Sequence, residues 1–136
     1  MKNSMQIDVE RFMEACGQTV YASPLIPTAD VVDLRISLMY EELMGTGELV
    51  DSMQKSDLVG VADGIADLLY VVIGTAAAYG INAQEIFNEV QRSNMTKVMP
   101  DGSVHKREDG KILKPDTFSP ADIKSIIERQ IVRTRW

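Results

Sequence analysis

Apolar residues recur at three- and four-residue intervals through most of the chain, the pattern of helices that each bury one face. Val9, Phe12, Met13 and Cys16 form the first such stripe and predict a helix over 5–16 that Gly17 ends. Pro24 and Pro27 then make 21–27 an extended connector, and its apolar residues need cover, so it should lie across the bundle. The helical pattern resumes after Thr28 or Asp30, either of which can cap it, with Val31, Leu34, Leu38 and Leu43 on the buried side. Gly45 and Gly47 interrupt it, since each glycine weakens a helix by roughly 1 kcal/mol relative to alanine. A turn over 53–57, with Ser56 as cap, leads into the longest helix, 58–79, which Gly80 stops. Residues 74–78 of that helix are small, so another helix of the same subunit, or a second copy of this one, can approach closely.

Asn82 and Glu85 have the spacing of a capping box and open a short helix to about residue 92 that buries Ile86, Phe87 and Val90. The period changes over 104–114, where Asp109-Gly110 is a hairpin turn signal between two strand-like runs. Ser119 as cap and Pro120 at the first position open a last helix, with Ile123, Ile126 and Ile127 on its apolar side. These elements predict an all-α bundle with a short C-terminal hairpin segment, in one domain over 1–136.

Composition changes this picture only at the margins. With 45% hydrophobic and 25% charged residues the chain is globular in type. The nearest candidate for a membrane span, 68–78, is too short, and no leader is visible, so a cytoplasmic protein with no membrane partner is expected. A single cysteine, Cys16, excludes an internal disulfide, fits a reducing compartment, and falls on an apolar face where a small core residue is expected. The net charge of −6 argues against long nucleic acid, which demands many phosphate contacts. Yet Arg92, Lys97, Lys106, Arg107, Lys111 and Lys114 outnumber the acids between 92 and 114, so an acidic centre is followed by a basic segment. That pairing suits a small metal-bound polyanion; a solvated surface tail explains the charge equally well.

The acidic centre carries the candidate chemistry. Asp63 and Asp67 are four apart and share a helical face, and the apolar residues around Asp67 place it in or beside a buried environment. A buried carboxylate is paired, protonated or metal-bound. Glu41, Glu42 and Glu48 crowd the preceding helix with no basic residue before Lys55, so they repel unless a cation binds among them. Oxygen ligands without cysteine or histidine favour a hard divalent ion, Mg²⁺ or Mn²⁺. His105 has no partner in sequence and reads as a surface residue.

Four blocks in order carry a resemblance: Leu38-Met39-Tyr40-Glu41-Glu42-Leu43, the run from Asp63 through Asp67 to Val72, Glu89 through Arg92, Ser93 and Asn94 to Lys97, and Asp109-Gly110-Lys111-Ile112-Leu113-Lys114. Together they resemble the all-α nucleoside triphosphate pyrophosphohydrolases, above all the MazG-like, phosphoribosyl-ATP pyrophosphohydrolase-like members, many carried by phages. The resemblance spans roughly 8–120. It implies a bundle that assembles as a homodimer or homotetramer in a bacterial or phage-infected cell. It also implies Mg²⁺ or Mn²⁺ on acidic helices, and cleavage of a nucleoside triphosphate between its α and β phosphates. Glu41, Glu48, Asp63 and Asp67 would be metal ligands and Glu42 the base. Lys97, Lys111 and Lys114 would meet phosphates, and Asn94 and Arg92 a base edge or sugar hydroxyl.

The chain departs from the family pattern twice. A Glu-Glu-x-x-Glu run would have its third glutamate at Gly45; if 45–47 is an insertion, Glu48 takes that place. The frequent Glu-x-x-Asp motif would have its glutamate at Gly64, which leaves Asp67 the safer ligand and Asp63 as ligand, holder of a metal-bound water, or cap for the basic segment. The likeness to phage MazZ-like enzymes points to a purine such as dGTP or GTP. Phosphoribosyl-ATP, a pyrimidine deoxynucleotide, or no catalysis at all in an acidic interaction module are the competing readings.

Overall fold

The computed structural model describes residues 1–134, in which six helices follow one another: α1 (Ser4–Ala15), α2 (Ala29–Met44), α3 (Leu49–Gln54), α4 (Leu58–Ala78), α5 (Ala83–Met95) and α6 (Ile123–Arg133). Helix α4 is the axis on which α1, α2 and α3 all pack, whereas α5 packs chiefly on α6. All three partners run antiparallel to α4. Met13 and Arg35 both meet Gly74 near its C-terminal end, and Leu49 meets Gly64 nearer its start. Val9 and Met13 of α1 close the core against Ile73, Ala77 and Ala78, with Val20 and Val31 packed against it.

The connector after α1 crosses the C-terminal end of α4, where Tyr21 N donates to Ala77 O at 3.0 Å and Leu25 N to Tyr79 O at 3.1 Å. Gln6, buried on α1, accepts from Ala83 N at 3.0 Å and donates to Ile81 O at 2.8 Å, tying the α4–α5 junction to the bundle. A buried amide with both ends satisfied costs little, and it specifies which helix ends meet.

Several boundaries differ from the sequence pattern, each for a local reason. The apolar stripe of α1 is narrower than its spacing suggests: Phe12 turns outward to meet Tyr70 edge-on at 5.7 Å, and Cys16 is an exposed helix cap. Leu34, Leu43 and Phe87 are likewise exposed. Ser56 adopts a positive φ of 56°, and Asp57 takes the capping role, accepting from Gly60 N at 3.1 Å. The last helix starts after Ser119 and Pro120, because Asp122 accepts from Ser125 N and caps it there. No capping box closes at Asn82, since its backbone N–H donates to Gln130 Oε1 of α6 at 2.9 Å and Glu85 meets only the Asn82 side-chain amide while pairing with Arg133. The hairpin reduces to one antiparallel bridge, Lys106 with Ile112, closed at Gly110.

Helix α4 is longer than the apolar run over 68–78 suggested. Its 21 residues are long and apolar enough to span a bilayer by length and composition. Three helices cover one side, and the opposite side leaves Leu58 (81% exposed), Val59 (80%) and Ile65 (54%) open, with Leu69 and Val72 beyond them.

Gly64 is where this packing is least forgiving. A Cβ there would lie 2.8 Å from Leu49 Cα and 2.9 Å from Leu49 N, and backbone atoms cannot swing aside. Gly64→Ala should therefore destabilise the fold by about 1–3 kcal/mol, although alanine alone would favour the helix. Urea unfolding measures this, and an unchanged or raised midpoint would contradict the α3–α4 contact.

Candidate metal centre

The carboxylates of Glu42, Glu48 and Asp67 each place an oxygen within 4.8 Å of the others. Three elements supply them: the last turn of α2, the residue that precedes α3, and the middle of α4. Oxygens held around one hard divalent ion at about 2.0–2.6 Å lie up to about 4–5 Å apart, so the set is close to the spacing such an ion draws together and is of the right donor type.

Glu48 reaches the group through a break in the helix. Helix α2 ends at Gly45, whose N–H still bonds Glu41 O at 2.8 Å; Glu48 N then bonds Gly45 O at 3.1 Å and α3 begins. The Glu48 side chain folds back over Gly45, where a Cβ would stand 2.9 Å from Glu48 Cγ. With Glu42 opposite Asp67, a straight α2 would carry Leu49 past Gly64. The break sets the chain back by about one helical turn, so that Glu48 returns beside Asp67. Asp51 secures the turn, accepting from Gly47 N at 2.8 Å and from Lys55 Nζ at 2.7 Å. The sequence reading missed that role; an aspartate four residues after Gly47 was its signal.

Electrostatics mark the group as short of positive charge. The Glu42 carboxyl is held above the usual carboxylate range, first by desolvation and then by the charges of Glu48, Asp67 and Glu41, with a hydrogen bond to Glu48 adding to it. Asp67 itself is exposed, contrary to the buried setting its apolar neighbours suggest, because those neighbours point to the uncovered side of α4. Glu41 and Asp63 stand outside the three-carboxylate group: Glu41 acts on it through its charge, and Asp63 is exposed one turn before Asp67.

The basic candidates lie elsewhere. Lys97 Nζ donates to Asn94 Oδ1 at 2.9 Å, and Lys97 and Lys114 stand 5.8 and 5.0 Å from the centre of the Phe118 ring. Lys111 is exposed just beyond the Asp109-Gly110 turn. Arg92 spends its fork on Glu89, Ser119 Oγ and Pro120 O, which brings the Glu89 carboxyl down to about 2 and fastens α5 to the start of α6. A concavity of about 860 Å³ between α5 and α6 shares no residue with the acidic group, and Glu85, Glu89, Arg92 and Arg133 on its wall are paired with one another.

A model of the phosphoribosyl-ATP pyrophosphohydrolase family matches residues 9–94, which contain all three carboxylates. The chain belongs to this family. A similar protein, from Acanthamoeba polyphaga mimivirus and itself uncharacterized, is 30% identical over 100 residues, or 72% of this chain. The chain spans about a third of that relative, 36% of its length. Among solved structures, a candidate NTP pyrophosphohydrolase from Exiguobacterium sp. 255-15 aligns over 99% of this chain and 98% of its own, with a TM-score of 0.50 and 24% identity, which shows the shared fold.

The pH dependence of this family member's stability should report the crowding. A carboxyl whose pKa is raised by folding supports the fold below its ordinary value, 4.5, and loses that support as pH rises through the folded value. In EDTA, Glu42→Gln should melt with wild type at pH 4 and several degrees above it at pH 7. A variant that melts no higher than wild type at pH 7 would show that Glu42 is not under strain from its neighbours.

Proposed function

We propose that this chain is a divalent-metal-dependent nucleoside triphosphate pyrophosphohydrolase, on the single observation that Glu42, Glu48 and Asp67 converge within 4.8 Å in a chain of this family. A Mg²⁺ or Mn²⁺ ion held there would lower the pKa of a bound water and neutralise phosphate oxygens. Glu48 and Asp67 hold the ion. Glu42, whose carboxyl is held above its usual range by desolvation and by the charges around it, takes the proton from the attacking water. Water adds to the α phosphorus, the bond to the α–β bridging oxygen breaks, and a nucleoside monophosphate and pyrophosphate leave. Glu41 and Asp63 deepen the negative field at the ion.

Lys97, Lys111 and Lys114 meet the β and γ phosphates as point charges, and Asn94 meets the base or sugar. The α5–α6 arm that carries Asn94 and Lys97 packs apart from the α1–α4 bundle that carries the acids. The reading therefore includes a homodimer or homotetramer in which a second copy covers the apolar side of α4 and brings its own basic segment to the acidic group. Burial of Leu58, Val59, Ile65, Leu69 and Val72 would drive that association.

For the substrate, a purine such as dGTP or GTP is the choice. The family's own description favours one specific rival, phosphoribosyl-ATP, which is also a purine nucleotide cleaved at the same bond. Pyrophosphate release from all eight common ribo- and deoxynucleoside triphosphates, with phosphoribosyl-ATP as a ninth substrate, separates them. The expected result is dGTP or GTP ahead of dCTP; a preference for dCTP or dUTP defeats the purine assignment and leaves the chemistry intact.

Asp67→Asn and Glu48→Gln should each lower kcat by about a hundredfold or more, as loss of a charge-stabilising group does. Circular dichroism should show both variants folded. Near-normal turnover in Asp67→Asn would remove the acidic group from the mechanism.

A further inference from the structure

Arg35 lies in the middle of α2, 4% exposed, and spends its guanidinium on neutral partners. Nη2 donates to Val71 O at 2.8 Å, Nε to Thr75 Oγ1 at 3.3 Å and Nη1 to Gln18 Oε1 at 3.5 Å. Val71 and Thr75 belong to α4, and Gly74 between them leaves the space that Nη2 fills. Burial without an opposing carboxylate is costly for an arginine, and fixing a register is the best-attested use of such a buried polar group.

The positions of its partners make the register matter. On α2, Glu42 follows Arg35 by seven residues; on α4, Asp67 precedes Gly74 by seven. The helices are antiparallel, so the Arg35–Gly74 crossing and the Glu42–Asp67 crossing are one alignment seen two turns apart. The apolar surface there cannot set it alone. Gly74, Ala77 and Ala78 present little relief, and a slip of one turn, about 5.4 Å, would carry Glu42 out of reach of an ion held by Asp67. Without a cation the acidic end pushes the helices apart. A planar fork with acceptors on α4 and on the segment after α1 resists both sliding and rotation.

We propose that Arg35 is a positioning residue for the acidic group: its buried fork sets the α2–α4 register that places Glu42 opposite Asp67. The link to metal rests on the proposed function, whereas the register does not.

Two variants test it against a control. Arg35→Lys keeps the charge and loses the planar fork; Gly74→Ala keeps the arginine and closes its space. Val9→Ala weakens the same core from α1 and touches neither partner. The first arm is metal-free. Nitroxide labels at Ser37→Cys and Ala66→Cys, both exposed positions, in a Cys16→Ser background diluted with unlabelled chain, report the α2–α4 distance. The expected distribution is narrow in the parent and in Val9→Ala, and broadened or shifted by about one helical turn, ~5 Å, in Arg35→Lys and Gly74→Ala. The second arm is Mn²⁺ affinity by electron paramagnetic resonance, expected to fall about tenfold in those two variants and to hold in Val9→Ala despite its lower melting temperature. A distance distribution in both variants that matches Val9→Ala overturns the proposal. A parent that binds no Mn²⁺ overturns the metal reading instead, and the first arm still decides on Arg35.

Discussion

Close backbone approach along α4 is the constraint on which the rest of the structure depends. Gly64 admits the Leu49 backbone, so α3 sits closer to α4 than a side chain would allow, and Gly74 leaves room for the Arg35 fork of α2. Close packing brings the carboxylates of three elements together as a by-product of geometry. At 4.8 Å, two carboxylates repel by about 1 kcal/mol in bulk water and by more where burial lowers the dielectric. Packing wins because it is spread over many contacts, while the repulsion is local and one bound cation reverses its sign. Desolvation first, and then the charges of Glu48, Asp67 and Glu41, raise the proton affinity of Glu42.

The same constraint divides the molecule. Helices α1 to α3 use up one side of α4, so its other apolar side has no cover within the described chain, and α5 with α6 forms a separate arm joined at the Gln6 contacts with Ile81 and Ala83. The charges on that arm are arranged differently from those of the bundle. Glu85 and Glu89 meet Arg133 and Arg92 directly, while Lys97 and Lys114 meet an aromatic ring and leave their charge available. Excess negative charge on one body and excess positive charge on the other is the complement that a second copy exploits in the proposed assembly.

Helical period was readable because it is local: the helices themselves follow from apolar spacing, though not which residues of α1, α2 and α5 are buried, and the acidic residues were visible as a cluster with no basic residue among them. What the sequence obscured was anything set by a partner element. Asp67 sits among apolar residues and reads as buried, yet those residues cover nothing in this chain. Asn82 and Glu85 have capping-box spacing, yet Gln130 of α6 takes the Asn82 N–H and Arg133 pairs with Glu85. Arg35 was invisible for the opposite reason, since a lone arginine on an otherwise apolar stripe reads as an outward-facing residue until the space left by Gly74 is known.

The break at residues 45–47 and the glycine at position 64 are, in this fold, one feature. A glutamate three residues before Asp67 would have to occupy the position of Gly64, where even a Cβ meets the Leu49 backbone. That backbone is there because the break at residues 45–47 sets α3 back by about a turn, and Glu48, directly before Leu49, thereby arrives beside Asp67. A side chain at position 64 and the present course of α3 exclude each other. The break that brings Glu48 beside Glu42 and Asp67 is thus the same feature that requires a glycine at position 64, and the three carboxylates gather where α2, α3 and α4 meet.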